Sequence, residues 1–224
     1  MAGSDMMDWI IKAIVSYLLG SIVGGLVVGR LRGGVDIRRM GSGNAGGTNA
    51  LRTQGKGFAF WVLLIDIGKG WVATRVLPSS SLFAAGPVEG SQLDGWLGVV
   101  CGIAVILGHV YPLWYGFRGG KGVATLVGAA LGLSPWMLIP MLVTWFVAVA
   151  LFGFVGLASM LGALAVVVAS AVGPSGPNMP LLTFGVLSAL LIAFTHRSNI
   201  ARMRAGTEPR VRRLWLFGPR RGGA

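Results

Sequence analysis

Between Gly122 and His196 the chain runs for 75 residues without a single Asp, Glu, Lys or Arg. A stretch like this cannot supply a water-facing exterior. At about 1.5 Å per residue it makes roughly 112 Å of helix, against about 30 Å for one crossing of a bilayer core, enough for three or four spans. The rest of the chain agrees. Only 12% of the 224 residues are charged, about half of what a soluble domain carries. The sequence therefore predicts an all-α integral membrane protein.

Three further apolar runs, at residues 9–29, 57–77 and about 93–116, are each long enough to span. The first carries Asp5 and Asp8 where a signal peptide would have basic residues, and no cleavage site follows, so it reads as a retained helix. Residues 79–95 (SSSLFAAGPVEGSQLDG) read as an exposed loop. Inside the uncharged stretch, Ser134-Pro135, the region of Gly153 and GPSGPNMP (173–180) supply three turns.

Charge placement then fixes the count. Of the 19 Lys and Arg, 16 fall in residues 30–56, 117–121 and 197–221, the pattern of cytoplasmic loops. Segments 117–121 and 197–221 must share a side, so an even number of crossings separates them. The expectation is seven transmembrane helices, amino terminus outside and carboxyl terminus cytoplasmic, the fourth helix short or partly re-entrant. Residues 1–196 form the membrane catalytic domain. Residues 197–224 form a basic juxtamembrane tail whose start, to about 208, belongs to the site. The net charge of +12 is then matched to lipid headgroups and anionic substrates, not to nucleic acid. The lone Cys101 excludes an internal disulfide and a multi-cysteine metal cluster.

Three polar segments converge on the cytoplasmic side. In RRMGSGNAGGTNALRTQGKG (38–57) the string GSGNAG matches the dinucleotide pattern G-x-G-x-x-G. That reading needs a strand before it within a βαβ unit; a membrane helix stands there, and the NAD reading fails. The composition fits an anion better. Glycines such as Gly43 let N–H groups turn inward, Ser42, Asn44, Thr48 and Asn49 add donors, and Arg38, Arg39 and Arg52 neutralise charge. A plain flexible linker is the alternative.

The second segment, 108–125, holds Gly119-Gly120-Lys121-Gly122. It is not a Walker A motif, because Gly122 follows the lysine and Tyr115 stands where a glycine is required. A glycine-rich turn entering a helix near Gly122 still favours phosphate, with Lys121 adding charge. His109 is either a hydrogen-bonded helix-end histidine or a proton-transfer group. In the third segment, 194–210, His196, Asn199 and Arg202 recur at i, i+3 and i+6, near one helix face. A basic stop signal accounts for residues 210–221; for His196 and Asn199 a site is favoured. Asp66 and Lys69 sit inside the second helix at i, i+3, where each centred charge costs about 2.5–3.5 kcal/mol unless paired. They are expected to pair and to support the site.

Absences narrow the chemistry. Trp114 and Ala201 stand five positions after the two histidines, so there is no H-x-x-x-x-D acyltransferase motif. There is no G-x-S-x-G elbow and no metal-ligand set, so neither metal nor cofactor is expected. Catalysis must rest on positioning and electrostatics.

Taken in order, YLLGSI (17–22), GSGNAGGTNALR (41–52), DIGKG (66–70), GHVYP with FRGGKGVAT (108–125) and HRSNIARMRAGTE (196–208) resemble the bacterial membrane glycerol-3-phosphate acyltransferases that use acyl phosphate, the PlsY family. The resemblance implies a multi-pass enzyme of the bacterial cell membrane with a cytoplasmic site. It would join acyl phosphate and sn-glycerol 3-phosphate into 1-acyl-glycerol 3-phosphate and phosphate, the first step of phospholipid synthesis, without an acyl-enzyme. It implies that Ser42, Arg52 and Lys121 hold phosphate, with Gly43, Asn44, Thr48, Asn49, Gly119 and Gly120 around it. His196 and Asn199 would orient the reactants, giving a catalytic set of His196, Asn199, Lys121 and Ser42. His109, Asp66, Lys69, Ser159, Arg202 and Glu208 would support them. The proton acceptor is either the acceptor's own phosphate or His196. Substrates and membrane lipids are the expected partners, with no obligate protein partner.

One stretch departs from the family pattern: GFVGLASM (153–160) has Gly153 and Gly156 where Arg and Ser are common, keeping Ser159. A transporter of a phosphorylated solute is the rival class. It would suit the Asp66/Lys69 pair, but the chain shows no inverted repeat and its polar motifs lie on one face.

Overall fold

The computed structural model describes residues 3–80, 95–174, 176–211 and 214–217. Most of the loop expected at 79–95 lies outside the described residues. Among them the regular structure is entirely helical. Ten α-helices follow in order: α1 Gly3–Gly20, α2 Gly24–Leu31, α3 Gly47–Gln54, α4 Lys56–Trp71, α5 Trp96–Val110, α6 Val123–Leu133, α7 Leu138–Phe152, α8 Val155–Val172, α9 Met179–Thr195 and α10 Arg197–Arg204. Four spans are long and apolar enough to cross a membrane singly, and the count rises to six if the bent pairs α1/α2 and α9/α10 are each one span. At 11 residues, α6 is about 16 Å long. The breaks expected within the uncharged stretch fall at helix ends: Ser134 closes α6, Gly153 closes α7, and Gly173 and Asn178 separate α8 from α9.

The first apolar run, expected as one helix over 9–29, is instead broken. Its halves meet at a 48° bend between Gly20 and Gly24. A break inside a membrane exposes backbone groups that have no water to bond, and a buried ion pair from α4 takes them up. Lys69 Nζ donates to Gly20 O at 2.8 Å and Ile22 O at 2.7 Å, while Asp66 Oδ1 accepts from Gly24 N at 3.0 Å. The two side chains pair at 3.0 Å. The pair thus closes the end of α1 and the start of α2 together.

Glycines set the close crossings, as expected where helices associate in lipid through small residues. A Cβ on Gly20 would collide with the Val105 carbonyl, and one on Gly108 with the Tyr17 carbonyl, fixing α1 against α5. Gly70 and Gly128 do the same for α4 and α6. The core between them is Val105, Ile106, Leu126, Met141, Phe184 and Ile192. α7 is the least enclosed span, with Ile139, Val143, Phe146 and Val147 exposed, as a lipid-facing helix should be.

Candidate active site

At one end of the bundle the loop before α3, the starts of α3, α6 and α8, parts of α4 and α7, and α10 with the residues after it line a cavity of about 550 Å³. Its polar end is lined by Ser42, Asn44, Thr48, Arg52, Lys121, His196, Asn199, Arg202 and Glu208. Its other end is apolar, with Leu63, Ile67, Val127, Leu142, Trp145 and Phe146. The three sequence segments therefore meet in space.

The loop is held in shape by side chains bonded within it. Asn49, 1% exposed, donates from Nδ2 to the carbonyls of Ile37, Met40 and Asn44 at 2.9–3.0 Å and accepts from Ser42 N at 2.9 Å. Asn49, expected at the phosphate, lines the cavity, and its side-chain amide closes the loop. Gly41, at φ +57, packs so closely on this amide that a Cβ would strike its Oδ1. Arg38 ties the loop to the next one. Its Nε and Nη2 bond Asp36 at 2.9–3.0 Å, and Nη1 reaches Tyr115 O at 3.2 Å and Arg118 O at 2.8 Å. The Arg38 hydrogen bonds hold the Asp36 carboxyl below its ordinary range. This segment lines the cavity with Gly41, Ser42, Asn44, Thr48, Asn49, Arg52 and the start of α3, whose first N–H groups lack intrahelical partners.

Gly43, Gly119 and Gly120 do not line the cavity. Their N–H groups are used within the fold, donating to Met40 O, Val110 O and His109 O at 3.0–3.1 Å. A Cβ on Gly119 would meet the His109 carbonyl, and one on Gly120 the His109 ring. The P-loop-like glycines thus serve close packing on the end of α5. Gly122, at φ +88, opens α6 and lines the cavity beside Lys121.

Lys121 Nζ bonds Asn199 Oδ1. Asn199 Nδ2 donates to Glu208 Oε1 at 2.6 Å, and Glu208 Oε2 accepts from Arg202 Nε at 2.6 Å. Burial first, and the neighbouring Arg202 second, lower the Lys121 pKa to about 8, Glu208 opposing them. One carboxylate is thereby shared among several cationic groups, and the polar end is complementary to an anion. His196 lies at the 53° bend between α9 and α10. Its Nδ1 stands 2.8 Å from Ile192 O, a contact that assigns the proton to Nδ1 and leaves Nε2 as an acceptor. Thr195, which the sequence did not single out, donates to Lys121 O at 3.0 Å and joins the two halves of the site. A hydroxyl directly before His196 was the only available signal.

Asp66 and His109 form part of the cavity wall, whereas Lys69 does not. His109 Nδ1 is 2.9 Å from Lys69 Nζ and 3.3 Å from Asp66 Oδ1, so it belongs to the cluster that holds the helix break. Ser159 lines the cavity with its hydroxyl bonded to Val155 O at 2.9 Å. At Gly156 the family-like serine has no room: an added Cβ would lie 2.8–2.9 Å from Asn199.

The glycerol-3-phosphate acyltransferase family model matches residues 10–206. The chain belongs to this family. It is 39% identical over 199 residues to a glycerol-3-phosphate acyltransferase of Synechococcus elongatus, covering 89% of this chain and 92% of the relative. A Staphylococcus aureus glycerol-3-phosphate acyltransferase is 36% identical over 207 residues, covering 92% and 98%. Two crystal structures of PlsY (YgiH), an integral membrane glycerol 3-phosphate acyltransferase, superpose on the fold. The glycerol 3-phosphate form has a TM-score of 0.79 at 34% identity, and the lysophosphatidic acid form 0.77 at 33%. Each comparison covers 90% of this chain and 94% of the solved one. The family is thus of PlsY type, a family of membrane proteins that serves phospholipid synthesis.

Proposed function

We propose that the chain transfers an acyl group from acyl phosphate to the 1-hydroxyl of sn-glycerol 3-phosphate, releasing 1-acyl-glycerol 3-phosphate and inorganic phosphate. The observation that carries this reading is the cavity's two-ended character. Its cationic end suits phosphate, and its apolar end is continuous with side chains that face lipid. An amphipathic phosphate ester and a small anionic acceptor both fit there.

In this reading Arg52, Lys121 and the Ser42 hydroxyl hold phosphate and offset the repulsion between two anionic reactants. Thr48, Asn44 and the start of α3 add donors. Asn199, fixed by Lys121 and Glu208, orients the glycerol, and His196 Nε2 accepts the hydrogen bond of the attacking hydroxyl. The hydroxyl oxygen bonds the acyl carbon as the bond from that carbon to the bridging oxygen breaks, the oxygen leaving with phosphorus. Phosphate departs with the electron pair, and the hydroxyl proton passes through His196 Nε2 to reach it, giving hydrogen phosphate. No enzyme nucleophile is needed, because the acyl phosphate is already activated.

The topology we infer has seven crossings. Lys121 and Asn199 touch, so an even number of crossings separates them. With α7, α8 and α9 in between, the short α6 must cross as well. Arg52 and Lys121 share the cavity across α4 and α5, again an even number. The basic segments at this end favour the cytoplasm of a bacterial cell membrane, leaving the amino terminus outside.

The test is reconstituted protein with labelled glycerol 3-phosphate and either palmitoyl phosphate or palmitoyl-CoA. Lysophosphatidate from the acyl phosphate alone, lost in folded Lys121→Ala protein, is expected. No product from either donor would overturn the proposal.

A further inference from the structure

α7 ends without a basic residue in its last turn, and the last carbonyls of a helix need donors from outside it. Here they come from the far end of the chain. Leu216 N donates to Ala150 O at 2.9 Å, Trp215 Nε1 to Leu151 O at 3.1 Å, and Val211 N to Gly153 O at 2.8 Å. The Arg210 guanidinium lies over the rings of Phe154 and Trp215, 4.5 and 4.2 Å from their centroids. Gly153 makes the seat: at φ +75, with Trp215 Cγ 3.1 Å and Arg210 Cβ 3.2 Å from where a Cβ would stand, a side chain there would be strained and would press on the tail. A tail that reads in sequence as a basic stop signal is therefore docked at these positions. The match to the family model ends at residue 206, so the docked residues lie beyond it.

Two residues before Arg210, Glu208 bridges Asn199 and Arg202. Pro209, between them, lines the cavity, and its ring removes slack from the connection. We propose that Arg210 is a positioning residue: by docking on the α7–α8 turn with Val211 and Trp215, it holds Glu208 against Asn199 and Arg202 and so shapes the phosphate end of the cavity. The docking stands on its own; only the identity of the bound phosphate rests on the acyltransferase reading.

The experiment uses the full chain in lipid nanodiscs, in a Cys101→Ser background carrying Ala150→Cys and Leu216→Cys, probed with a short bismaleimide. Cross-linking is expected to be efficient, to fall about five-fold with Arg210→Ala, and to recover with Arg210→Lys, which keeps the cation over the rings. Without the cysteine pair, Arg210→Ala is expected to raise KM for glycerol 3-phosphate about ten-fold with kcat within about two-fold, the loss expected of a cation held by two rings. Trp215→Ala should do the same, and both proteins should melt with the parent. Cross-linking indifferent to Arg210→Ala overturns the docking; lost cross-linking with unchanged KM overturns the positioning. If the parent turns over neither donor, the acyltransferase reading fails alone. The affinity for inorganic phosphate then replaces KM, and equal affinity in parent and variant overturns the positioning.

Discussion

Gly156→Ala is the most informative single substitution. The new Cβ would stand 2.8 Å from Asn199 Nδ2 and 2.9 Å from both Cγ and Cβ of that residue. Rotating the amide clears the first two atoms but not Asn199 Cβ, which is fixed to the backbone of α10. That backbone must retreat by about half an ångström to restore ordinary carbon contact. The shift pulls Asn199 from Lys121 and Glu208 together, and Glu208 in turn holds Arg202. Hydrogen bonds to charged groups contribute about 1.5–3 kcal/mol each. Loosening one of them, added to a sub-ångström misplacement of the orienting group, is expected to cost about ten- to a hundred-fold in kcat/KM. The assay is lysophosphatidate formation from palmitoyl phosphate at varied glycerol 3-phosphate, with the melting temperature as control. A variant that melts with the parent and keeps its kcat/KM would refute the claim that Asn199 must sit where it does.

Further outcomes follow from the same geometry. Lys69→Met leaves Asp66 charged, buried and without its partner, and strands the carbonyls of Gly20 and Ile22; a loss of about 3–5 kcal/mol is expected, read as a large drop in melting temperature in detergent. Lys121, with its pKa lowered to about 8, is charged below that pH and neutral above it. KM for glycerol 3-phosphate should therefore rise as pH passes from 7 to 9, and Lys121→Arg should flatten that rise. Cys101→Ser should retain turnover within about two-fold, since a buried thiol behaves as a small apolar group; complete loss in folded protein would point to an acyl-enzyme.

The helix boundaries were largely legible because glycine, proline and charge punctuate an otherwise apolar chain. Ser134-Pro135, Gly153 and the turn after Gly173 each stop a helix for local reasons. The three polar segments could be paired from the side on which their arginines fall. The break at Gly20–Gly24 could not be read, because the groups that stabilise it, Asp66 and Lys69, come from another helix and look in sequence like a self-contained i, i+3 pair. Glycine-rich strings were legible as tight structure but not in their direction. Gly119 and Gly120 carry the pattern of a phosphate cradle while their N–H groups point back at α5. Asn49 looked like a ligand donor beside Ser42 and Asn44, yet only coordinates reveal three carbonyls converging on its amide. The docked tail was invisible for the same reason: Arg210 and Trp215 acquire meaning only against Gly153 and Phe154.

The apolar end of the cavity shares Leu63, Leu142 and Phe146 with the lipid-facing surface, where they are 41%, 39% and 59% exposed. A site open to the bilayer in this way is filled sideways. Its donor, on the proposed reading, is counted as a mole fraction among lipids and not as a concentration in water. Diluting the vesicles with inert phospholipid at constant bulk donor should slow turnover per enzyme, while adding buffer at constant glycerol 3-phosphate concentration should not. The acyl chain never has to leave the hydrocarbon, so the enzyme would meet its acceptor in three dimensions and its donor in two.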